Sequence, residues 1–395
     1  IPICSREAGT GLSSRVVPIK GGLLLDLKNM NRIESLNARD LTITVEPGVI
    51  AKDLQGEVAK SRLFYPPESG TAGFSTIGGM VEECTGGMTG MKYGVTRDYV
   101  LALEIVLPDG SVINTGRKTL KSVAGYDLTR FFVGSEGTLG VLTKITLKLL
   151  PMSEKLGTVM SFFKDIDSAL NTADSILIKN HLYPRSLEFA DKICIDAIRE
   201  SAEEKIPEKV EAMLLIDIDG NKKNVENDIF IIDALCRGNN AIKSTITNTD
   251  EEGKRLWDIR NSISSSLLKV ASMKFNEDIC VPRSKVRDVL KKAYKLSKAN
   301  SLPVAAFGNI GAGHINLSVI CNNEKEDEVS VNNLISQILN DVVSIGGTIK
   351  SGQGFGDMKF DYNGSGLVPH EIAIMKDLKS MFDPKGIMNP GKVFV

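Results

Sequence analysis

The chain has little histidine and almost no tryptophan: 395 residues hold three histidines, His181, His314 and His370, and one tryptophan, Trp257. So few imidazoles all but exclude a metal cage built mainly from histidine. The six cysteines, Cys4, Cys84, Cys194, Cys236, Cys280 and Cys321, form no CxxC pair and no zinc spacing. They read as free thiols of a reducing compartment. No apolar run approaches the roughly 18 residues of a membrane span. Neither charge sign is in surplus, with 48 Lys and Arg against 49 Asp and Glu. Nucleic acid is therefore not an expected partner, and acidic disorder is not expected either. The chain starts at Ile1 and shows no signal segment, so the expected location is cytoplasmic or peripheral to a membrane.

Glycine is what the chain has in excess: 36 residues, about 9% against a usual figure near 7%. In the first part it clusters in Gly9-Thr10-Gly11, Gly78-Gly79, Gly86-Gly87 and Gly134 to Gly140. Backbone N–H groups at such loops approach phosphate closely, so several loops beside strands suggest a long cofactor with a pyrophosphate. The length suggests two or three domains. Residues 1–151 read as strands, tight turns and glycine loops. Gly22 to Leu27 reads as a buried apolar run, and Leu41 to Val45 as a strand. Val49 to Leu63 has helical spacing, Tyr99 to Leu107 is a strand closed by Pro108-Asp109-Gly110, and Gly140 to Leu150 is another strand. Residues 152–368 alternate strand and helix. Strands are expected at 156–163, 185–189, 212–218 and 304–320, and helices at 165–180, 222–236, 284–298 and 324–345. This pattern suggests an antiparallel sheet with helices on one face. Residues 369–395 read as a helix and a tail.

Two nucleotide motifs are missing. No GxxxxGK[ST] occurs, and no GxGxxG joins a strand to a helix, so neither a P-loop nor a Rossmann site is expected. The stretches that do occur are Ala8 to Ser13, Tyr65-Pro66-Pro67-Glu68, Ser75 to Gly79, Lys92 to Val100 and Val123 to Gly140. Asp278 to Arg283 and Asn389-Pro390-Gly391-Lys392 complete the set. In these the chain resembles FAD-linked oxidases of the vanillyl-alcohol oxidase type, in the branch of glycolate oxidase subunits and D-lactate dehydrogenases.

The resemblance implies an α+β fold: a two-subdomain FAD-binding fold with an antiparallel-sheet cap domain over the flavin. It also implies roughly one further βαβ unit ahead of the Ala8 loop, so the fold is expected to be truncated at its front. It places Gly9 and Thr10 at the pyrophosphate, with Pro67, Gly78, Gly79, Gly86 and Gly87 around its other side. Glu136, Gly137, Gly140 and Val141 would line adenosine and flavin, and Asn389 would reach the isoalloxazine. Residues 1–12 contain no histidine, so noncovalent FAD is expected. Departures from the pattern are Glu7 in the first loop, Met80 and Cys84. A carboxylate at position 7 is unfavourable beside a pyrophosphate unless it turns outward.

The related dehydrogenases carry G-H-x-G-D-G-N-x-H and S-G-E-H-G loops, whose histidines and glutamate bind a metal or act as base. Here the first loop is Gly308-Asn309-Ile310-Gly311-Ala312-Gly313-His314-Ile315-Asn316, and the second is Ser351-Gly352-Gln353-Gly354-Phe355-Gly356. Asparagine and glutamine are poor ligands for transition metals, so no metal is expected. His314 and Asn316 share one face of a strand, and His314 is the candidate base. Leu256-Trp257-Asp258-Ile259-Arg260 resembles W-x-x-R, whose arginine holds the substrate carboxylate, and Lys274 is a weaker candidate for that task.

The expected function is oxidation of a 2-hydroxy acid, of the D-lactate or glycolate type, by hydride transfer to flavin. The alternative is a non-catalytic or degenerate FAD-binding subunit of an oxidoreductase complex. A metal-free alcohol or carbohydrate oxidase of the same fold is a third reading. Expected partners are the small hydroxy acid, an electron-acceptor protein or partner subunit, and further copies of the chain.

Overall fold

The computed structural model describes residues 1–11, 14–68, 70–202, 204–247, 249–270, 273–321, 328–349 and 369–393. The Ser351–Gly356 loop lies outside the described residues.

In the first part, β-branched alternation gives a five-stranded antiparallel sheet. Its order is Ile33–Asn37, Thr42–Val45, Val141–Lys148, Val100–Val106, Val112–Gly116. The hairpin at Pro108-Asp109-Gly110 forms as expected, with Ser111 N donating to Asp109 Oδ1 at 2.9 Å. Ile43, Leu103, Ile105 and Ile145 pack against Leu54 and Val58 of the Ala51–Ala59 helix. Ile77 and Val81 of the Ile77–Glu83 helix complete that core.

The segment Ile3–Arg6 pairs in parallel with Leu23–Asp26. The run expected to be buried there is so only in part: Leu23 and Leu24 are exposed, whereas Leu27 is buried in a small core with Val141 and Met388, and half-buried Leu25 packs against it. Among the described residues Leu23–Asp26 has one neighbouring strand, so its apolar face is left uncovered.

The second sheet has seven antiparallel strands. They run Ala241–Ile246, Lys155–Phe163, Ala212–Gly220, Ser186–Asp191, Val304–Asn309, His314–Cys321, Met273–Cys280. Here the expectation of helices on one face is corrected, because both faces are covered. Ala212, Leu214 and Ile216 join one core with the Ile166–Asp174, Lys222–Gly238 and Val286–Asn300 helices. Met213 and Leu215 join another with Lys192–Ile198 and Asp250–Asn261. The unbroken run Ala212 to Ile216 is what a strand buried on both sides requires. The expected helix at 165–180 is capped by Asp165, whose side chain accepts from Ser168 N, and it changes from α to π at Ser175–Lys179.

The two parts are fastened by polar contacts and by Met91, which is buried in the core of the second part. Lys92 Nζ lies 2.6 Å from Asp219 Oδ1, and Tyr93 Oη donates to Asp219 Oδ2 at 2.6 Å. Tyr183 Oη donates to Met91 O at 2.7 Å, and Arg185 pairs with Glu68 at 2.9 Å. After the Pro369–Phe382 helix the tail returns to the first part, where Met388 bridges Ile3.

Candidate active site and cofactor cradle

The glycine loops converge. Gly9, Thr10, Gly79 and Gly86, far apart in sequence, line one cavity of about 230 Å³ with Arg15 and Thr76. An adjoining cavity of about 580 Å³ shares Ala8 and Thr76 with it and opens toward Asp26, Lys28 and Asp53. Two adjoining cavities, the first lined by several glycines, suit an extended ligand. Gly9 has φ +69°, which a side chain would strain, and a Cβ on Gly79 would meet nothing closer than Thr76 Oγ1 at 3.2 Å. Thr76 caps the Ile77–Glu83 helix by accepting from Gly79 N.

Other glycines of the expected cradle have packing reasons. A Cβ at Gly78 would lie 2.5 Å from Pro47 Cβ, one at Gly87 2.1 Å from Glu68 O, and one at Gly140 2.7 Å from Ile105 Cγ2. Gly137 has φ +72° and donates its N–H to Glu82 Oε2 at 2.5 Å. Pro67, Glu136 and Val141 are buried, and Val141 packs on Met388. Asn389 Nδ2 donates to Glu136 O at 2.7 Å and to Arg15 O at 3.1 Å, so its amide ties the tail to two loops.

Sequence reading missed the charges beneath this cradle. Glu7 turns inward, not outward, and is buried against Arg15, with Arg15 Nη2 2.7 Å from Glu7 Oε2. Arg15 also reaches Glu83 Oε1 at 3.4 Å. Burial works against the Arg15 charge, but Glu7, Glu82 and Glu83 outweigh it and raise its pKa. Burial pushes Glu82 up to about 8, against the pull of Arg15 and the Gly137 N–H. Among the described residues Glu7 Oε1, Arg15 Nη1, Glu82 Oε1 and Ser5 Oγ have no hydrogen-bond partner. Nothing local in the sequence pairs position 7 with position 15, because the contact depends on how the loop doubles back.

In the second part, the expected chemical residues gather on one face of the seven-stranded sheet. His314 and Asn316 alternate with Ile315 and Leu317, which fill the opposite core. Asp278 lies opposite Asn316 on the neighbouring strand, and its Oδ1 is 2.5 Å from His314 Nε2. Burial lowers the His314 pKa, but the hydrogen bond and charge of Asp278 outweigh it, so the net shift is upward. Glu188 and Arg260 also act on His314, which places all four groups in one electrostatic neighbourhood.

Arg260 comes from the Asp250–Asn261 helix, whose start is a capping box between Thr249 and Glu252. Its Nε donates to Glu188 Oε2 at 2.7 Å and its guanidinium lies 5.3 Å from the Phe307 ring centre. Nε and Nη2 make the contacts to Glu188, and no described residue hydrogen-bonds Nη1, so part of the fork remains available. Trp257, one turn earlier, donates Nε1–H to buried Asp217 at 2.7 Å, and burial pushes Asp217 up to about 6. Lys274, on the Asp278 strand, is spent on Ser264 O at 2.9 Å and Ser264 Oγ at 2.8 Å.

Asn309, at the first histidine position of the related loop, has a structural task here. It accepts from Ala312 N in the turn that follows, and its Nδ2 donates to Met88 O at 2.6 Å. Gly313 is obligatory in that turn: φ is +79°, and a Cβ would fall 1.9 Å from Val281 O. His181 and His370 are exposed. Among the described residues no group of three or more His, Cys, Asp or Glu side chains is arranged to hold a metal ion, and no helix is long and apolar enough to cross a membrane.

Comparison with known proteins agrees with this geometry. Residues 1–116 match a family model described as an FAD binding domain, and residues 153–393 match one described as FAD linked oxidases, C-terminal domain. The glycolate oxidase subunit GlcD of Bacillus subtilis is 39% identical over 395 residues, all of this chain and 84% of that protein. A D-lactate dehydrogenase of Archaeoglobus fulgidus is 32% identical over 394 residues, covering 100% of this chain and 86% of that protein. Among solved structures, p-cresol methylhydroxylase superposes with a TM-score of 0.78 at 16% identity, covering 99% of this chain and 84% of that one, which speaks to fold alone. The expected vanillyl-alcohol-oxidase-type architecture and the expected cofactor, FAD, are both met. The chain belongs to the FAD-linked oxidase family.

Proposed function

We propose that the protein oxidises a small 2-hydroxy acid, of the D-lactate or glycolate type, to the 2-oxo acid. The observation that carries this reading is that Arg260 lies over Phe307, the register partner of Asn316, and so shares one sheet face with His314. A 2-hydroxy acid offers a carboxylate and a hydroxyl on adjacent carbons. The available edge of Arg260 suits the carboxylate, and His314 suits the hydroxyl proton. Asn316, two residues along the same face, can hydrogen-bond the hydroxyl oxygen.

FAD, when bound, accepts the hydride that leaves the substrate Cα. Gly9, Thr10 and Gly79, with Gly86 opposite, fit its pyrophosphate because they wall the cavity with backbone and a hydroxyl. Pro67, Gly78, Gly87, Gly137 and Gly140 shape the loops behind it, and Glu136, Val141 and Asn389 fix the tail against the first loop. In this reading FAD is held noncovalently. Arg260 orients the acid, and His314 takes the proton.

The test is anaerobic mixing of the yellow protein with D- and L-2-hydroxy acids. Bleaching of the flavin by one acid, lost by about 10²–10⁴-fold in His314→Ala, is the expected result. A flavin that no acid reduces overturns it. That outcome favours the second reading, an FAD-holding subunit that passes electrons within a complex. The conversion of position 309 from ligand to inter-domain tie is the observation on its side. Acid precipitation that releases all FAD into the supernatant checks noncovalent binding.

A further inference from the structure

His314 is not simply near Asp278; the sheet dictates the pairing. On the two antiparallel strands His314 is the register partner of Cys280, and Asn316 that of Asp278. His314 and Asp278 are thus diagonal neighbours on one face, within reach of a long side chain. Their contact is 2.5 Å from Nε2 to Oδ1. The Asp278 side chain is 10% exposed and that of His314 28%. Carboxylate oxygens only accept, so Nε2 carries the proton. Nδ1 of the neutral ring is then a bare lone pair that no described residue hydrogen-bonds.

The remaining charged and titratable groups around the ring are spoken for. Glu188, from the Ser186–Asp191 strand, is bound by Arg260 from the helix above. Cys280 donates its thiol to Ala312 O at 3.4 Å. Lys274, further along the Asp278 strand, is held by Ser264. Asp278 is the only acid in hydrogen-bond contact with the ring among the described residues.

We propose that Asp278 is a positioning residue, which fixes His314 as the Nε2–H tautomer and presents Nδ1 to the reacting hydroxyl. This rests on the reading of His314 as the base. In the step, the substrate O–H bond breaks and its proton moves to Nδ1. The Cα–H pair leaves as hydride to FAD, and the C=O double bond forms. The imidazolium left behind is stabilised by the Asp278 carboxylate and later returns its proton to water. Swapping the acid for an amide removes that charge and offers an N–H donor, which turns the ring to its other tautomer.

The experiment uses the FAD-loaded full chain, ¹⁵N-labelled at histidine. Three histidines make the imidazole signals separable, and His314→Gln assigns the one that matters. Expected in the wild type is an Nε2–H tautomer for neutral His314. In Asp278→Asn the tautomer is lost and the His314 titration moves to lower pH. Flavin reduction by the acid falls by about 10–100-fold, and its acidic limb moves with the NMR midpoint. Asp278→Glu recovers part of both. A wild-type Nδ1–H tautomer overturns the proposal without any variant. So does an Asp278→Asn protein whose His314 tautomer and titration are unchanged. Failure of the base reading looks different: His314→Gln would reduce flavin at the wild-type rate whatever the tautomer.

Discussion

Arg260 is asked to do two things, and the first can be weighed from the structure alone. Its partner Glu188 has a side chain only 1% exposed, while the Arg260 side chain is 14% exposed. Substituting Arg260→Met keeps most of the apolar stem over Phe307 and removes the guanidinium. Glu188 then keeps the Ser186 hydroxyl, which donates to its Oε1 at 3.4 Å. Breaking a buried pair on one side costs about 3–5 kcal/mol. Protonation sets a ceiling: an unfolded glutamate titrates near 4.3, so neutralising it at pH 7 costs about 2.7 units, or roughly 3.7 kcal/mol. The expected loss is therefore about 3–4 kcal/mol at pH 7. At pH 5 the same ceiling falls to roughly 1 kcal/mol.

For a unit of this size each kcal/mol moves the melting temperature by about 2–4 °C, so Arg260→Met should melt on the order of 10 °C lower at pH 7. Most of the gap should close at pH 5. The double variant Arg260→Met, Glu188→Gln should regain most of the loss, because no buried charge remains. Thermal and urea unfolding of the FAD-loaded protein at the two pH values reads all three. A single variant within about 0.5 kcal/mol of wild type at pH 7 would refute the argument. So would a double variant as unstable as the single one.

Two further outcomes follow from the same kind of geometry. Gly78→Ala should destabilise the fold, because its Cβ meets Pro47 at 2.5 Å, whereas Gly79→Val should melt near wild type yet bind FAD at least about tenfold more weakly. Fluorescence titration with FAD and a thermal melt separate the two, and equal behaviour of both variants would sink the division of the cradle glycines. The second concerns pH: burial raises Asp217 to about 6 in the fold, above its unfolded value. The stability it contributes is full below about pH 4 and is lost as pH rises through about 6, by up to roughly 3 kcal/mol. Asp191, also raised to about 6 by burial, acts in the same direction. Urea midpoints between pH 4 and 7 should fall in the wild type and fall less in Asp217→Asn; parallel curves would contradict the assignment.

The sequence carried the fold further than it carried the site, for a physical reason. Alternation and turn chemistry are local, so the Pro108-Asp109-Gly110 hairpin and the Asp165-capped helix could be read residue by residue. Burial of a sheet face is not local. The run Ala212 to Ile216 is apolar at every position, and that pattern says that both sides are covered without saying by what. Of the helices that cover the second side, Lys192–Ile198 is only two turns long and Asp250–Asn261 is strongly charged, so both pass as connections. At the site, His314 and Arg260 were legible because each stands in a motif. Their partners Asp278 and Glu188 were not legible as partners, since each pairing is set by strand register or by a helix laid across the sheet. Arg15 and Glu7 show the same limit in the cradle. Read alone, Glu7 is a defect beside a phosphate; read with Arg15, it is half of a buried pair whose guanidinium also lines the cavity and offsets the carboxylate. What one position loses in a family pattern, another position distant in sequence can restore. A lost motif residue is therefore evidence about chemistry only after its spatial neighbours are known. By that standard His314 with Asp278 is a better guide to this protein than the missing histidines of its loop.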